Sequence, residues 1–255
     1  MEDPMRLLLA ALLALPLCAA PAAVDSKEFT KTVNWKADVP VVIEAERGTL
    51  EVTGWDQPKV EVYAKVEAET GMFRPKHAVE DTQIQVEEVA GIRIRVDFSK
   101  IQQSSWQVFG GGQTRPRVNL KIKVPRAAAL RVKSSVAAST LSDLRGELEV
   151  ETVRGSVVMK GIDGVVRLKT VVGDAELHLA KVSAGTRVET VRGNIQVFLP
   201  AKGKFDIEPD ALRGEVRSDF GKTAGELIKE RTKVNGGGPA LRVVTMRGTV
   251  EIKKG

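Results

Sequence analysis

The chain has 255 residues, of which 42% are hydrophobic and 4% aromatic, and its net charge is +6. This length is enough for one large domain, or two small ones, with a real hydrophobic core. Six excess positive charges are few for a chain of this size, so charge alone does not indicate nucleic-acid binding, and we expect no nucleic-acid partner.

The first residues have the pattern of a secretory signal peptide. One arginine precedes an apolar run from Leu7 to Leu17, and the small residues Ala20-Pro21-Ala22 follow as a cleavage site. The apolar run is shorter than the roughly 20 residues that a membrane-spanning helix needs. We therefore predict a signal peptide over residues 1–22 and export to the periplasm, the cell surface or the medium. Membrane contact after cleavage is expected to be peripheral at most.

Two questions at this end stay open. Acidic residues directly after Met1 are unusual in a signal peptide, so translation starts at either Met1 or Met5. The single cysteine, Cys18, raises the alternative of a lipoprotein, although Leu17 before it is larger than the residue usually found there. If cleavage follows Ala22, the mature chain has no cysteine, which excludes disulfides and thiol chemistry.

Residues 23–135 are rich in predicted strands but irregular. Apolar residues alternate from Val39 to Ala68, which is typical of half-buried strands, and "DTQIQVEEVAGIRIRVDF" and "RVNLKIKVP" predict longer strands. The glycine-rich segment 99–116 lies between those two. A possible contact loop consists of Trp106 and Phe109 in this segment with the flanking Arg115 and Arg117. Its aromatic residues either anchor a partner or fold back over the open end of the structure.

Residues 136–255 contain a repeated phrase. The copies are "VETVRGSVVM" (150–159), "LKTVVGDAEL" (168–177), "VETVRGNIQV" (188–197) and "VVTMRGTVEI" (243–252). Gly155, Gly173 and Gly193 are 18 and 20 residues apart, and a second glycine opens the strand before each phrase. Each unit is therefore two short strands in a turn of about 20 residues, and a period of this size predicts a solenoid.

The alternation within the units predicts which side chains are buried. We expect Val150, Leu168, Val188 and Val197 to share one core. Among the outward positions, stacking would place Glu151, Lys169 and Glu189 in one column of alternating charge, and Thr152, Thr170 and Thr190 in the next. The residues after the turn glycines (Ser156, Asp174 and Asn194) are predicted to form turns by bonding to the local backbone.

The predicted fold class is therefore all-β. It is a β-solenoid (β-helix-like) with rungs of about 18–21 residues, preceded by the less regular β-rich half. We expect residues 23–255 to form one continuous domain. Residues 224–233, "AGELIKERTK", break the pattern and predict a short helix.

Three sequence features resemble a known family. They are "GTLEVTGWDQPKVEVYA" (48–64), the repeated "TVRG" phrases and the closing "GGGPALRVVTMRGTVEIKK" (236–254). Together they resemble the bacterial domain-of-unknown-function family labelled "putative adhesin", with its β-strand repeats, over nearly the whole mature chain. The resemblance implies an exported or membrane-attached β-solenoid. The chain departs from the family pattern at 99–117 and at 137–140, where "AAST" replaces a glycine turn.

The sequence offers little that could perform catalysis or bind metal. His77 and His178 are about 100 residues apart in the sequence, and metal ligation would need further ligands near each of them. Asp174 and Asn194 fit turns better than calcium ligands, because the dense Asp-Gly signature of β-rolls is missing. An acidic row at Glu147, Glu149 and Glu151 leaves glycoside cleavage conceivable. We expect no catalytic residue, no metal and no cofactor.

A possible anionic-ligand seam consists of the arginines that precede turn glycines: Arg154, Arg192, Arg213 and Arg247, with Arg47 as a further candidate. If the units stack, these side chains line one edge and suit phosphorylated glycans or lipid headgroups. The alternative is that they are solvated and pair with nearby Glu.

The favoured function is a non-enzymatic exported protein, an adhesin-like scaffold or binding module of the cell envelope. Its partner is expected to be an anionic envelope polymer or another envelope protein. The alternative is a polysaccharide-active β-helix enzyme, a lyase or glycoside hydrolase. Such an enzyme would need a cleft, for which short units with tight turns leave little room.

Overall fold

The computed structural model describes residues 24–69, 77–101 and 115–255, and the predicted signal peptide lies outside them. The fold is all-β, with 64% of the described residues in strands and almost no helix. The first elements are β1 Val24–Asn34, β2 Val41–Trp55, β3 Lys59–Glu69, α1 Ala78–Asp81, β4 Gln83–Glu87, β5 Ile92–Asp97, β6 Arg117–Pro125 and β7 Leu130–Ser142. Within these three ranges, no helix is long and apolar enough to span a membrane.

The repeat region supplies the remaining strands. They are β8 Leu148–Arg154, β9 Val157–Ile162, β10 Val166–Val172, β11 Ala175–Leu179, β12 Arg187–Arg192, β13 Ile195–Leu199, β14 Phe205–Ala211, β15 Glu215–Ser218, β16 Glu226–Leu227, β17 Thr232–Val234, β18 Ala240–Arg247 and β19 Thr249–Lys254.

These strands pair in parallel in two stacks. The first stack runs β2, β7, β8, β10, β12, β18, β14, and the second runs β2, β7, β9, β11, β13, β19, β15. The strands β2 and β7 are long enough to belong to both stacks, since β7 pairs with β8 from Leu130 and with β9 from Ser139. The pairing of β2 with β7 and of β7 with β8 joins the irregular half to the repeats.

Antiparallel pairings lie at both ends of the stacks. At the N-terminal end β3 pairs with β1 and β6, and β4 pairs with β5. At the other end β17 pairs with β14, and β16 pairs with β15. These added strands occupy sheet edges whose backbone N–H and C=O groups would otherwise be open to other chains.

The register of the repeats is the one that the sequence predicts. Glu151 lies opposite Lys169, which lies opposite Glu189. The predicted core is also confirmed, because Val150, Leu168, Val188 and Val197 are between 0% and 1% exposed. Burial of one apolar face per strand, repeated from unit to unit, is therefore the main force that holds the stacks together.

The turn glycines also form a column, and a close backbone contact requires each of them. Gly173 has φ +153°, and a Cβ at this position would lie 1.9 Å from the carbonyl oxygen of Gly155. A Cβ on Gly193 would meet the carbonyl oxygen of Gly173 at the same distance. In β7 the corresponding position is Ala137, where the chain continues as one strand and makes no turn.

Two features differ from the sequence prediction. The column of Thr152, Thr170 and Thr190 is buried, not outward, because these residues share the inward parity of the core valines. Residues 224–233 form no helix. Instead Leu227 of β16 pairs with Arg217 of β15 and Ile228 is buried, so tertiary pairing outweighs the local helical propensity.

Candidate functional site: the arginine seam and its neighbours

The site is built from a four-residue phrase at the bend between the two stacks. In each copy a polar or small residue comes first, an aliphatic residue second, usually an arginine third and a glycine last, as in Thr152-Val153-Arg154-Gly155. The threonine is buried, whereas the valine and the arginine are both exposed although they are adjacent. Strict alternation would bury one of the two. The chain bends at the glycine, so both side chains project from the edge of the stack.

The arginine seam (Arg154, Arg192, Arg247 and Arg213, in spatial order) runs along this edge. Arg154 and Arg192 both lie opposite Val172, which interrupts the seam, and Arg192 lies opposite Arg247. The backbone amide of Arg213 donates to the carbonyl of Met246 at 3.0 Å, which places Arg213 beside Arg247. Five positions at a strand spacing of about 4.8 Å give a seam about 19 Å long.

The backbone under the seam is fixed by the turn glycines. The amide of Gly173 donates to the carbonyl of Arg192 at 3.0 Å, and the amide of Gly193 donates to the carbonyl of Arg247 at 3.2 Å. The backbone of Arg192 and of Arg247 is therefore held by the neighbouring unit, which leaves their side chains to adapt to a ligand.

The seam arginines differ from the other arginines of the repeats in their partners. Within the described residues, no carboxylate forms an ion pair with any of the four. Arginines on the flat faces do form such pairs: Arg131 with Glu149, Arg167 with Glu147, Arg187 with Glu189, and Arg217 with Glu215. Of the alternative that the seam arginines are solvated and pair with nearby Glu, the exposure is observed and the pairing is not seen among the described residues.

The other predicted contact residues are placed as follows. Arg47 lies opposite Val136, which lies opposite Arg154, so Arg47 extends the same column by two strands. Arg115 forms an ion pair with Glu46 and lies 5.3 Å from the centre of the Phe98 ring. Arg117 is exposed at the start of β6. The loop residues Trp106 and Phe109 fall outside the described residues.

A second column, which the sequence interpretation missed, runs beside the seam. The aliphatic column consists of Val153, Val171, Val191, Met246 and Leu212, each directly before the seam position of its unit. Of the eight exposed large hydrophobic side chains among the described residues, these are five, and their exposed fractions lie between 37% and 71%. An aliphatic residue before every seam position was the signal in the sequence that could have revealed this column.

A groove of about 520 Å³ lies at one end of the aliphatic column, where Val153 and Val171 contribute to its lining. Its charged lining residues are Lys133, Lys169, Arg95, Glu44, Glu46 and Glu151. Three cations and three carboxylates give the groove lining no net charge. The excess positive charge of this region therefore lies on the seam.

The turn carboxylate and amide are engaged by backbone groups. Asp174 Oδ1 accepts from the amide of Asn194 at 2.7 Å, and Asn194 Oδ1 accepts from the amide of Thr249 at 3.1 Å. These bonds join neighbouring units, whereas the sequence interpretation expected bonds to the local backbone. In the described part of the chain, no cluster of His, Cys, Asp or Glu could hold a metal ion.

The two histidines and the acidic row are also accounted for by local contacts. His77 contacts Glu80 three residues on. His178 stacks on Phe198 with ring centroids 4.3 Å apart, and its hydrogen bond holds the pKa of the Glu176 carboxyl below its usual value. Glu147 and Glu149 are paired with the arginines named above, and Glu151 Oε2 lies 4.0 Å from Lys133 Nζ.

Comparisons with known proteins support the fold. A scan against protein-family models and a search of curated proteins both give no match. Among solved structures, a "putative cell adhesion protein" from Clostridium sporogenes is similar with TM-score 0.53 and 13% identity, over 91% of this chain and all of that one. A "putative adhesin" from Bacteroides fragilis (TM-score 0.35, 14% identity, 89% and 97% covered) and a "putative lipid binding protein" from Parabacteroides distasonis (0.37, 11%, 89% and 96%) are too distant to carry an argument.

Proposed function

We propose that the protein is an exported, non-enzymatic β-solenoid of the bacterial cell envelope, adhesin-like in role, that binds an anionic envelope polymer through the arginine seam. The observation that carries the proposal is the row of guanidinium groups that have no carboxylate partner within 24–69, 77–101 and 115–255. Repeated cations at one edge match repeated anions, and guanidinium binds phosphate and carboxylate oxygens in a bidentate manner.

The solenoid and the single domain are parts of this proposal. Parallel stacking with a period of 18–20 residues supports rungs that wind from one stack to the other. The pairing of β2 with β7 and of β7 with β8 supports one continuous domain over 23–255. The sequence of residues 1–22 supports export, and the "putative cell adhesion protein" with the similar fold supports an adhesin-like role.

The state of the acidic row favours binding over the alternative of glycoside cleavage. That reaction needs one carboxyl group to act as an acid and another to act as a base or nucleophile on opposite sides of a sugar bond. Glu147 and Glu149 are each held by an arginine on an exposed, flat face. The oxygens of these two carboxylates are engaged by guanidinium groups, which favours a structural role over attack on a sugar bond.

The test is to measure binding of lipopolysaccharide, phosphorylated cell-wall polymer and a neutral glycan. The variant is Arg154→Ser/Arg192→Ser/Arg213→Ser, which removes three exposed seam cations. Each exposed charge contact is worth about 0.2–1 kcal/mol, so we expect roughly a tenfold loss of affinity for the anionic polymers. Binding of the anionic polymers by the wild type should weaken as salt rises, because the Debye length falls from about 30 Å at 0.01 M to about 8 Å at 0.15 M ionic strength.

A matched control separates the seam from net charge. The variant Arg131→Ser/Arg167→Ser/Arg217→Ser removes the same number of charges from paired positions on the flat faces. It should keep most of the affinity. Equal binding by the seam variant and the wild type, or binding that is indifferent to salt, would refute the proposal.

A further inference from the structure

The aliphatic column has no role in binding a soluble polyanion. Its five side chains lie next to the seam over the same length, one per strand, and stay exposed. Exposed large aliphatic groups lose their unfavourable contact with water when they are covered, and the seam proposal alone covers none of them. Their regular placement beside cations therefore requires an occupant that is both apolar and anionic.

The charge on the two sides of the aliphatic column is unequal. On one side lies the seam, whose four arginines have no carboxylate partner in the part of the chain that the structure describes. On the other side lies a column of alternating sign: Lys133, Glu151, Lys169 and Glu189. The net positive charge is thus confined to one flank of the apolar line, as on surfaces that rest at the boundary between lipid headgroups and acyl chains.

The size of this surface argues against a protein partner. A line about 19 Å long and two side chains wide covers on the order of 200 Å², whereas a stable protein interface buries about 800 Å² on each partner. A bilayer surface requires no matched shape. Several aliphatic side chains at its boundary, combined with a few cations above it, are enough for reversible attachment.

We propose that the seam and the aliphatic column together dock the protein on the surface of a bilayer that contains anionic phospholipids. The arginines contact headgroup phosphates, and the five aliphatic side chains enter the boundary between headgroups and acyl chains. This inference rests on the proposed function, because it uses the same seam, but it assigns the anion to a lipid surface in place of a soluble polymer.

The experiment is co-sedimentation with vesicles of phosphatidylglycerol and phosphatidylethanolamine, with phosphatidylcholine vesicles as the neutral probe and soluble polyphosphate as the polymer probe. The variant Leu212→Ser/Met246→Ser removes two exposed members of the aliphatic column. Its control, Val89→Ser/Leu227→Ser, removes two exposed aliphatic groups elsewhere. All forms share one N-terminus, so the apolar segment at residues 7–17 cannot cause a difference between them.

We expect the column variant to lose about tenfold or more in partitioning to anionic vesicles, while its binding to polyphosphate and its melting temperature stay at the wild-type values. The seam triple variant should lose about 100-fold on vesicles, since each cation near an anionic surface contributes roughly a fivefold factor, and should also lose polyphosphate. The control should bind vesicles like the wild type.

Each result separates the two proposals. If the column variant partitions to anionic vesicles as well as the wild type does, the lipid inference is wrong and the polymer-binding function is untouched. If the seam variant keeps wild-type binding to polyphosphate, the proposed function itself is wrong. Equal wild-type partitioning to anionic and neutral vesicles would also overturn the lipid inference.

Discussion

Replacing Gly173 by alanine tests the turn-glycine column at the point where two units are closest. Gly173 has φ +153°, and a Cβ would lie 1.9 Å from the carbonyl oxygen of Gly155, roughly 1.5 Å inside ordinary contact. The oxygen belongs to backbone, so it cannot rotate away as a side chain can. The two units must therefore move apart at the turn.

The cost follows from what this movement breaks. The amide of Gly155 donates to the carbonyl of Val172 at 3.1 Å, and the amide of Gly173 donates to that of Arg192 at 3.0 Å. Moving the units of Gly155 and Gly173 apart takes the first of these bonds beyond hydrogen-bond distance, at about 0.5–1.5 kcal/mol, whereas the second joins Gly173 to the next unit and is kept. A positive φ at a non-glycine residue adds about 1–3 kcal/mol. We expect Gly173→Ala to lower the free energy of unfolding by about 2–4 kcal/mol, or the melting temperature by roughly 10 °C.

The assay is urea unfolding followed by circular dichroism, together with the melting temperature. Gly236→Ala is the control, because Gly236 has φ +96° but no atom within 4 Å of the position of a Cβ. It carries only the backbone cost of about 1–2 kcal/mol. If Gly173→Ala is no less stable than Gly236→Ala, the close stacking of the turns is wrong.

Three further outcomes follow from buried and charged groups. Val188→Asp should lower the free energy of unfolding by more than about 3 kcal/mol, because it buries an unpaired charge. The control Val191→Asp, at an exposed position of the same strand, should melt near the wild-type temperature. Equal melting temperatures of the two variants would contradict the stacked core. Among the described residues the buried Thr170 hydroxyl has no hydrogen-bond partner, so Thr170→Val should raise stability by about 1 kcal/mol in urea unfolding, and a loss would contradict this. Arg231 holds the pKa of the Asp206 carboxyl below its usual value. That pair stabilises the fold above about pH 4 and is lost as pH falls through the folded pKa, so Asp206→Asn should flatten the acid limb of a plot of melting temperature against pH, and an unchanged limb would count against the pair.

The sequence alone was sufficient for the apolar core faces and the register of the repeated phrases, from β8 to β13 and in β18 and β19. Alternation of apolar residues encodes the buried face of Val150 and Val188 locally, and the turn glycines mark where each strand ends. Because both signals recur with one period, aligning the glycines also aligns the partners of neighbouring units, as Lys169 and Glu189 show. The positions of the seam arginines follow from the same alignment.

Only the tertiary structure decided the order of the last units. The unit of β18 and β19 is last in the sequence, yet it lies between that of β12 and β13 and that of β14 and β15. Local periodicity gives every unit the same apolar faces and so cannot rank their neighbours. The order depends on which arrangement buries the most surface and closes the end, where β16 and β17 add antiparallel strands.

The tertiary structure also decided which charges have partners and which aliphatic groups stay exposed. The sequence places Glu and Arg in every unit, but whether they meet depends on the distance between side chains of different units: Arg167 reaches Glu147, whereas Arg192 reaches no carboxylate in the described residues. Alternation likewise predicts that one of Val191 and Arg192 is buried. Both are exposed because the chain bends at the next glycine, and a bend of the backbone in three dimensions is not encoded in a period of two.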